Sequence, residues 1–190
     1  MKKSLWEYKV FFDEILYEIA NIFFVMIYHF RGGARHCCLN KNIDLKNIHQ
    51  GKRCFILGNS PSLIEHDLKL LKNEITFCVN RGFLLEEYEY IKPTYHVIVD
   101  PKLGSGVWPI NFLDKIKKKN PEVIFILNSD WRNKKAFQPY LSWNIRWVCV
   151  NKTFTRFTRK KIDLTTISFS GNVVEVAILS SFYMGCKSIY

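Results

Sequence analysis

Short apolar runs recur along the chain at 53–57, 75–79, 95–99, 123–127 and 146–150, separated by segments rich in Lys, Asp, Glu, Asn and Pro. Each run is predominantly apolar and most are rich in Val, Ile and Phe, the pattern of parallel strands buried on both faces. Between them the spacing predicts helices over 65–72, 109–119 and 132–140 and a helical turn over 83–90, with Pro109 near the first turn of the second. Residues 172–184 predict a further helix, because Asn172 and Glu175 stand at capping-box spacing and Gly185 at the expected stop. Cys186–Tyr190 then begins another strand. Strands alternating with helices predict an α/β domain on a parallel sheet with right-handed crossovers. A chain that closes inside an apolar strand without a polar tail is expected to continue past Tyr190, as a truncated product would.

The first thirty residues follow another pattern. Residues 1–33 read as an amphipathic helix stopped at Arg31-Gly32-Gly33, and 34–51 as a polar linker to the domain over 52–190, which is read as incomplete. Glu7, Asp13, Glu14 and Glu18 interrupt the apolar positions, and the uncharged run Ile19–Phe30 is twelve residues long, against about twenty for a membrane span. No small-residue cleavage site follows it. The apolar face of residues 1–30 is expected to pack on the domain or to lie on a membrane surface, with packing favoured because its acidic residues do not suit anionic lipid.

At 190 residues, 48% hydrophobic and 24% charged, the chain has the composition of one globular domain, which argues against disorder and against a multi-pass membrane protein. Charge changes the picture more. The net charge is +11, and residues 102–161 carry fourteen Lys or Arg against three Asp or Glu, so that segment alone gives 14 − 3 = +11. A local positive field favours encounter with anionic partners: phosphorylated substrates, an anionic membrane or nucleic acid. Nucleic acid is the least favoured, because "TFTRFTRKK" (153–161) mixes Arg with Phe without a recognised nucleic-acid motif. Six cysteines show no CxxC and no His partner at zinc-ligand spacing, so no metal site is expected. Cys54, Cys78, Cys149 and Cys186 lie in or beside apolar runs as small hydrophobes, which suits a reducing cytosol.

Ligands of doubly wound sheets bind at the carboxyl ends of the strands, and there the unusual polar residues fall. Gly58-Asn59-Ser60-Pro61-Ser62 follows the first run, Asn80-Arg81-Gly82 the second and Asp100-Pro101 the third, while Ser168-Phe169-Ser170-Gly171 precedes the capped helix. Any one of these can serve only its own turn. The first can also present unpaired backbone N–H groups and a helix N-terminus to a phosphate. It is neither a Walker loop nor a three-glycine dinucleotide fingerprint. His96, on the third run, is expected in the core or at its edge, and no residue is assigned as catalytic.

Taken together, "FILGNSPSL", "FCVNRG", "YHVIVDP" and "SGNVVEVAILSSFYMGCKSIY" resemble the 6-hydroxymethylpterin diphosphokinase MptE-like domain family over residues 52–190. More distantly they are similar to the bacterial Cst-type sialyltransferases, which share the Gly-Asn-x-Pro-Ser-Leu turn, an Asn after the second strand and a Ser-Gly helix. The resemblance implies a Rossmann-like fold that binds a nucleotide on this edge. On that reading Gly58, Asn59, Ser60, Pro61 and Ser62 form the first turn of the nucleotide site and Asn80 follows the second strand. Asp100 stands where the sialyltransferases have an Asn, and Ser170 and Gly171 match their Ser-Gly pair. A transferase is expected, with glycosyl transfer from a CMP-sugar in surface-glycan synthesis favoured. The alternatives are ATP-dependent pyrophosphoryl transfer, in which Mg²⁺ would take part, and a non-catalytic nucleotide-binding or scaffold protein. The expected location is the cytoplasm, at the inner face of the membrane where residues 1–30 touch it.

Overall fold

The computed structural model describes residues 5–31, 38–152, 162–169 and 172–190. Seven strands form one sheet: β1 (Arg53–Leu57), β2 (Ile75–Val79), β3 (Tyr95–Ile98), β4 (Ile124–Asn128), β5 (Ile145–Lys152), β6 (Ile167–Phe169) and β7 (Ser188–Ile189). Their order is β6-β5-β4-β3-β2-β1-β7, and every neighbouring pair is parallel. The Rossmann-like α/β fold read from the sequence is thus the fold observed. β6 was not foreseen, since three residues are too short for a periodic signal.

Each step from β1 to β6 moves to the adjacent position in the same direction. With right-handed crossovers, that keeps the four connections from β1 to β5 on one face, while Ile162 and Leu164, ahead of β6, pack on the other. The side chains agree: Cys78, Ile98, Phe125, Leu127 and Trp147 pack with Leu68, Phe83, Tyr88, Leu113, Ile116 and Phe137 from the connections. Alternate residues of the same strands, Phe77, Val79, Tyr95, Val97, Ile126 and Val148, point to the other face. There they meet the helix Val173–Tyr183 through Val176, Ala177 and Tyr183. Burial on both faces is why these runs are predominantly apolar and do not alternate. That helix carries the chain back across the sheet and sets β7 beside β1, so the winding reverses between β1 and β7.

Two predicted helices are replaced by 3₁₀ turns. In place of 65–72 stand turns at Pro61–Glu65 and Leu68–Leu71, because the Asp67 side chain accepts a hydrogen bond from Lys69 N and diverts the backbone from an α-helix. In place of 132–140 stands a turn at Lys135–Tyr140 with Pro139 inside it, where the missing N–H forbids an α-helical ladder. The second predicted helix is present as Phe112–Lys119. The capped one is present as expected, with Asn172 Oδ1 accepting from Glu175 N at 3.0 Å and Gly185 at φ +83° beyond its end.

Residues 38–51, the larger part of the predicted linker, are sewn into the domain. Leu39 and Leu45 are buried, and Asn42 donates through Nδ2 to the carbonyls of Trp147 (2.7 Å) and Leu164 (2.8 Å). The backbone of Asn47, His49 and Gly51 donates to the carbonyls of Tyr183, Met184 and Gly185. Two leucines six residues apart and one asparagine leave no periodic signature, so the segment read as polar.

The amino-terminal helix, α1 (Leu5–Arg31), touches β5; its predicted stop at Gly32-Gly33 lies outside the described residues. Val10, Glu14, Ile15, Glu18 and Ala20 are half-buried and Asn21 is buried, so the covered residues are polar as often as apolar. The apolar face, expected to pack on the domain, is left exposed. No helix among the described residues is long and apolar enough to cross a membrane.

Candidate functional site

At the carboxyl end of β1 the chain leaves the sheet at Gly58, which is half-buried. Its φ is not positive, and a Cβ built on it would meet nothing within 4 Å. Neither backbone conformation nor packing within the chain therefore requires glycine here. The open space beyond it is a pocket of about 400 Å³, within the range of small-molecule sites. Asn59, Ser60 and Pro61 line it from the β1 side and Arg81 and Gly82 from the β2 side, with Leu63, Leu84 and Leu85 as its apolar wall.

The β1 turn is held by its own hydroxyls. Ser60 Oγ accepts from Ser62 N at 3.4 Å and lies 2.8 Å from Ser62 Oγ, and Pro61 opens the five-residue 3₁₀ turn. The long helix expected at this point is absent, so the turn offers backbone N–H groups but no helix macrodipole. Gly82, by contrast, is required by packing: a Cβ there would lie 2.3 Å from Cys78 Sγ and 3.5 Å from Asn59 Oδ1. The absence of a side chain at Gly82 is what lets the β2 turn close against the β1 turn.

Asn80 adopts a left-handed φ of +47° at the head of the β2 turn. Its carbonyl accepts from His96 Nε2 at 2.9 Å, and His96 Nδ1 lies 2.8 Å from the Tyr88 hydroxyl. A carbonyl only accepts, so Nε2 carries the proton and Nδ1 receives the Tyr88 O–H. Burial pushes the His96 pKa down to about 4 and the Tyr88 pKa up, which keeps both neutral. His96 is a buried strut, as its place on the third run suggested, and it sets the direction in which Arg81 leaves the sheet.

Arg81 is exposed, and no carboxylate pairs with it among the described residues. It faces a pocket whose lining contains no acid. Sequence reasoning quoted it within the Asn80-Arg81-Gly82 turn and left it out of the site; its position after a strand, in the pattern that nominated Asn80, was the available signal.

The remaining candidates divide. Gly58, Asn59, Ser60 and Pro61 converge on the pocket, whereas Ser62 bonds Ser60 and Asn80 stands behind Arg81. Asp100 caps the one-turn helix Pro101–Gly104 through Lys102 N at 2.9 Å and does not line the pocket. Asp130, which sequence reasoning missed, follows β4 and so shares the edge with Asp100, which follows β3. Ser170, Gly171 and the basic segment 153–161 lie outside the described residues.

This arrangement, a pocket beside the point of reversed winding at the carboxyl ends of parallel strands, is where such sheets bind ligands. The family model for 6-hydroxymethylpterin diphosphokinase MptE-like proteins matches residues 36–190. The chain belongs to this MptE-like family. The match begins sixteen residues before the resemblance read from the motifs, and so takes in the segment 38–51 that is packed on β5 and the last helix. No curated protein matches the chain. In this MptE-like chain five cysteines, Cys38, Cys54, Cys78, Cys149 and Cys186, are buried thiols that form no disulfide among the described residues. Burial raises the Cys78 and Cys186 thiols to about 12, as befits packing residues.

Proposed function

We propose that this MptE-like chain is a nucleotide-dependent transferase whose donor nucleotide occupies the pocket between Gly58–Pro61 and Arg81. One observation carries the reading. A glycine that the fold itself does not require opens onto a pocket with one unpaired guanidinium, no acid and an apolar wall. That combination suits an anion joined to a flat apolar group. The phosphate would take Arg81 and the N–H groups of the β1 turn, and the base would rest on Leu63, Leu84 and Leu85.

Glycosyl transfer from a CMP-type sugar is the favoured reaction. The anomeric C–O bond breaks, its electron pair leaves on the nucleoside monophosphate, and the acceptor hydroxyl forms the new bond as it loses its proton. Arg81 would stabilise the charge that grows on the departing phosphate. Surface-glycan synthesis is the setting proposed, the donor being the partner of the pocket and the acceptor lying above the sheet edge.

A second reading, pyrophosphoryl transfer from ATP, is favoured by Asp100 and Asp130 at the ends of adjacent strands. Two carboxylates with substrate phosphates are enough to hold Mg²⁺. Calorimetric titration of CMP, a CMP-sugar and ATP, each with and without Mg²⁺, tests both. Binding of CMP and the CMP-sugar without Mg²⁺ supports glycosyl transfer, and binding of ATP only with Mg²⁺ supports the second reading. Binding of none of them leaves a scaffold on a transferase fold and ends the proposal.

A further inference from the structure

Helix α1 leaves most of its large apolar side chains exposed. Val10, Glu14, Glu18 and Asn21, spaced at four, four and three residues, form a covered stripe, with Ile15 and Ala20 also half-buried, and the helix touches β5. The opposite side carries Phe12, Leu16, Ile19, Phe23, Met26 and Phe30, each between 47 and 86% exposed. Taken with exposed Phe11, Ile22 and Ile27, these apolar positions sweep about 160° of the helix at about 100° per residue, along about 40 Å of its length. Every Asp and Glu of the helix lies off this arc. Lys9 stands at its margin and Trp6 and Tyr17 beyond it.

Two features of the surface choose among occupants. The arc is too wide for one helical partner: a two-helix seam uses two positions in seven, and most of these side chains would stay wet. It is suited to a medium that wets a half-cylinder, with amphipathic rings and a lysine stem at its borders. The second feature is charge. The chain carries +11, concentrated in residues 102–161, and α1 adjoins β5 within that segment. The helix carboxylates, which from sequence argued against anionic lipid, fall outside the arc, and Glu14 and Glu18 are partly covered on the side of the body.

We propose that α1 lies flat in the interface of an anionic bilayer, apolar arc in the acyl boundary, with the basic body held against the headgroups. A peripheral mount of this kind would hold the pocket near lipid-borne acceptors, yet it rests on α1 alone, and vesicle binding and nucleotide binding can fail separately.

The test is co-sedimentation of the full chain with phosphatidylcholine vesicles and with vesicles of phosphatidylcholine and phosphatidylglycerol. The wild type should partition onto the anionic vesicles, and Leu16→Glu/Phe23→Glu should lower the partition coefficient at least tenfold. Both residues are exposed, so the far-UV circular dichroism and the melting temperature should not change. Three results overturn the proposal: no binding to anionic vesicles, binding that the double variant leaves unchanged, or equal binding to neutral vesicles. If the wild type does not bind vesicles and is instead a dimer that the same variant splits, the arc is covered by a second copy.

Discussion

His96 Nε2 donates to the carbonyl of Asn80 across 2.9 Å, tying the centre of β3 to the one left-handed residue of the β2 turn. Replacing His96 by Phe keeps volume but leaves the Asn80 carbonyl and the Tyr88 hydroxyl without their partner. Two buried groups losing a hydrogen bond predict a loss of about 2–4 kcal/mol in chemical denaturation. His96→Phe should also weaken nucleotide binding, because Arg81 no longer leaves the sheet in a fixed direction.

The same residue predicts a pH dependence. The His96 pKa is lowered in the fold to about 4, against about 6.5 in the unfolded chain. Above pH 6.5 both states are neutral and His96 adds no slope. Between 6.5 and 4 the unfolded state takes up a proton that the fold refuses, so stability falls as the pH falls, by up to about 3 kcal/mol. Melting temperatures measured from pH 7 to 4 should show this slope in the wild type and a shallower one in His96→Phe, where His49, whose pKa burial also lowers, still contributes.

Two glycines should answer one substitution in opposite ways. Gly58→Ala places a methyl in open space at an ordinary φ, so stability should hold or rise by about 0.4–1 kcal/mol while nucleotide affinity falls. Gly82→Ala drives a methyl into Cys78 Sγ and should cost about 1–3 kcal/mol. Thermal melts and calorimetric titration of both variants separate a ligand cradle from a packing requirement.

Arg81→Ala removes an exposed cation with no described ion-pair partner, so the melting temperature should stay put. Affinity for CMP or ATP should fall by about 1.5–3 kcal/mol, the range for a hydrogen bond to a charged group. Arg81→Lys should restore part of it. An unchanged affinity would remove Arg81 from the site.

Asn172→Ala deletes the cap of the helix that covers the β7 side of the sheet. A loss of about 1 kcal/mol is expected, and Asn172→Asp should recover it, since its carboxylate accepts the same Glu175 N–H.

Much was legible in the sequence because burial writes itself into composition. Six of the seven strands and the last helix could be read, since strands covered on both faces must be largely apolar and a helix must cap its first N–H groups. Gly58 through Pro61 could be nominated because polar turns follow three successive strands on the edge where such sheets bind ligands. The family could be read from four short motifs in order, and the 3₁₀ turns could not, because Asp67 and Pro139 act through single hydrogen bonds that leave no period.

The sequence by itself determined the layers of this protein, the polar edge above its parallel strands and the amphipathic character of α1, all of which follow from periodicity within a few turns of chain. Only the tertiary structure decided that Arg81 and Gly58 line one pocket, that Asp100 caps its own turn, that residues 38–51 pack into the domain and that α1 leaves its apolar side exposed. Those outcomes depend on which distant segments meet. Contact across a sheet is set by topology and packing, which pair residues such as Asn42 and Leu164 that no local window holds together.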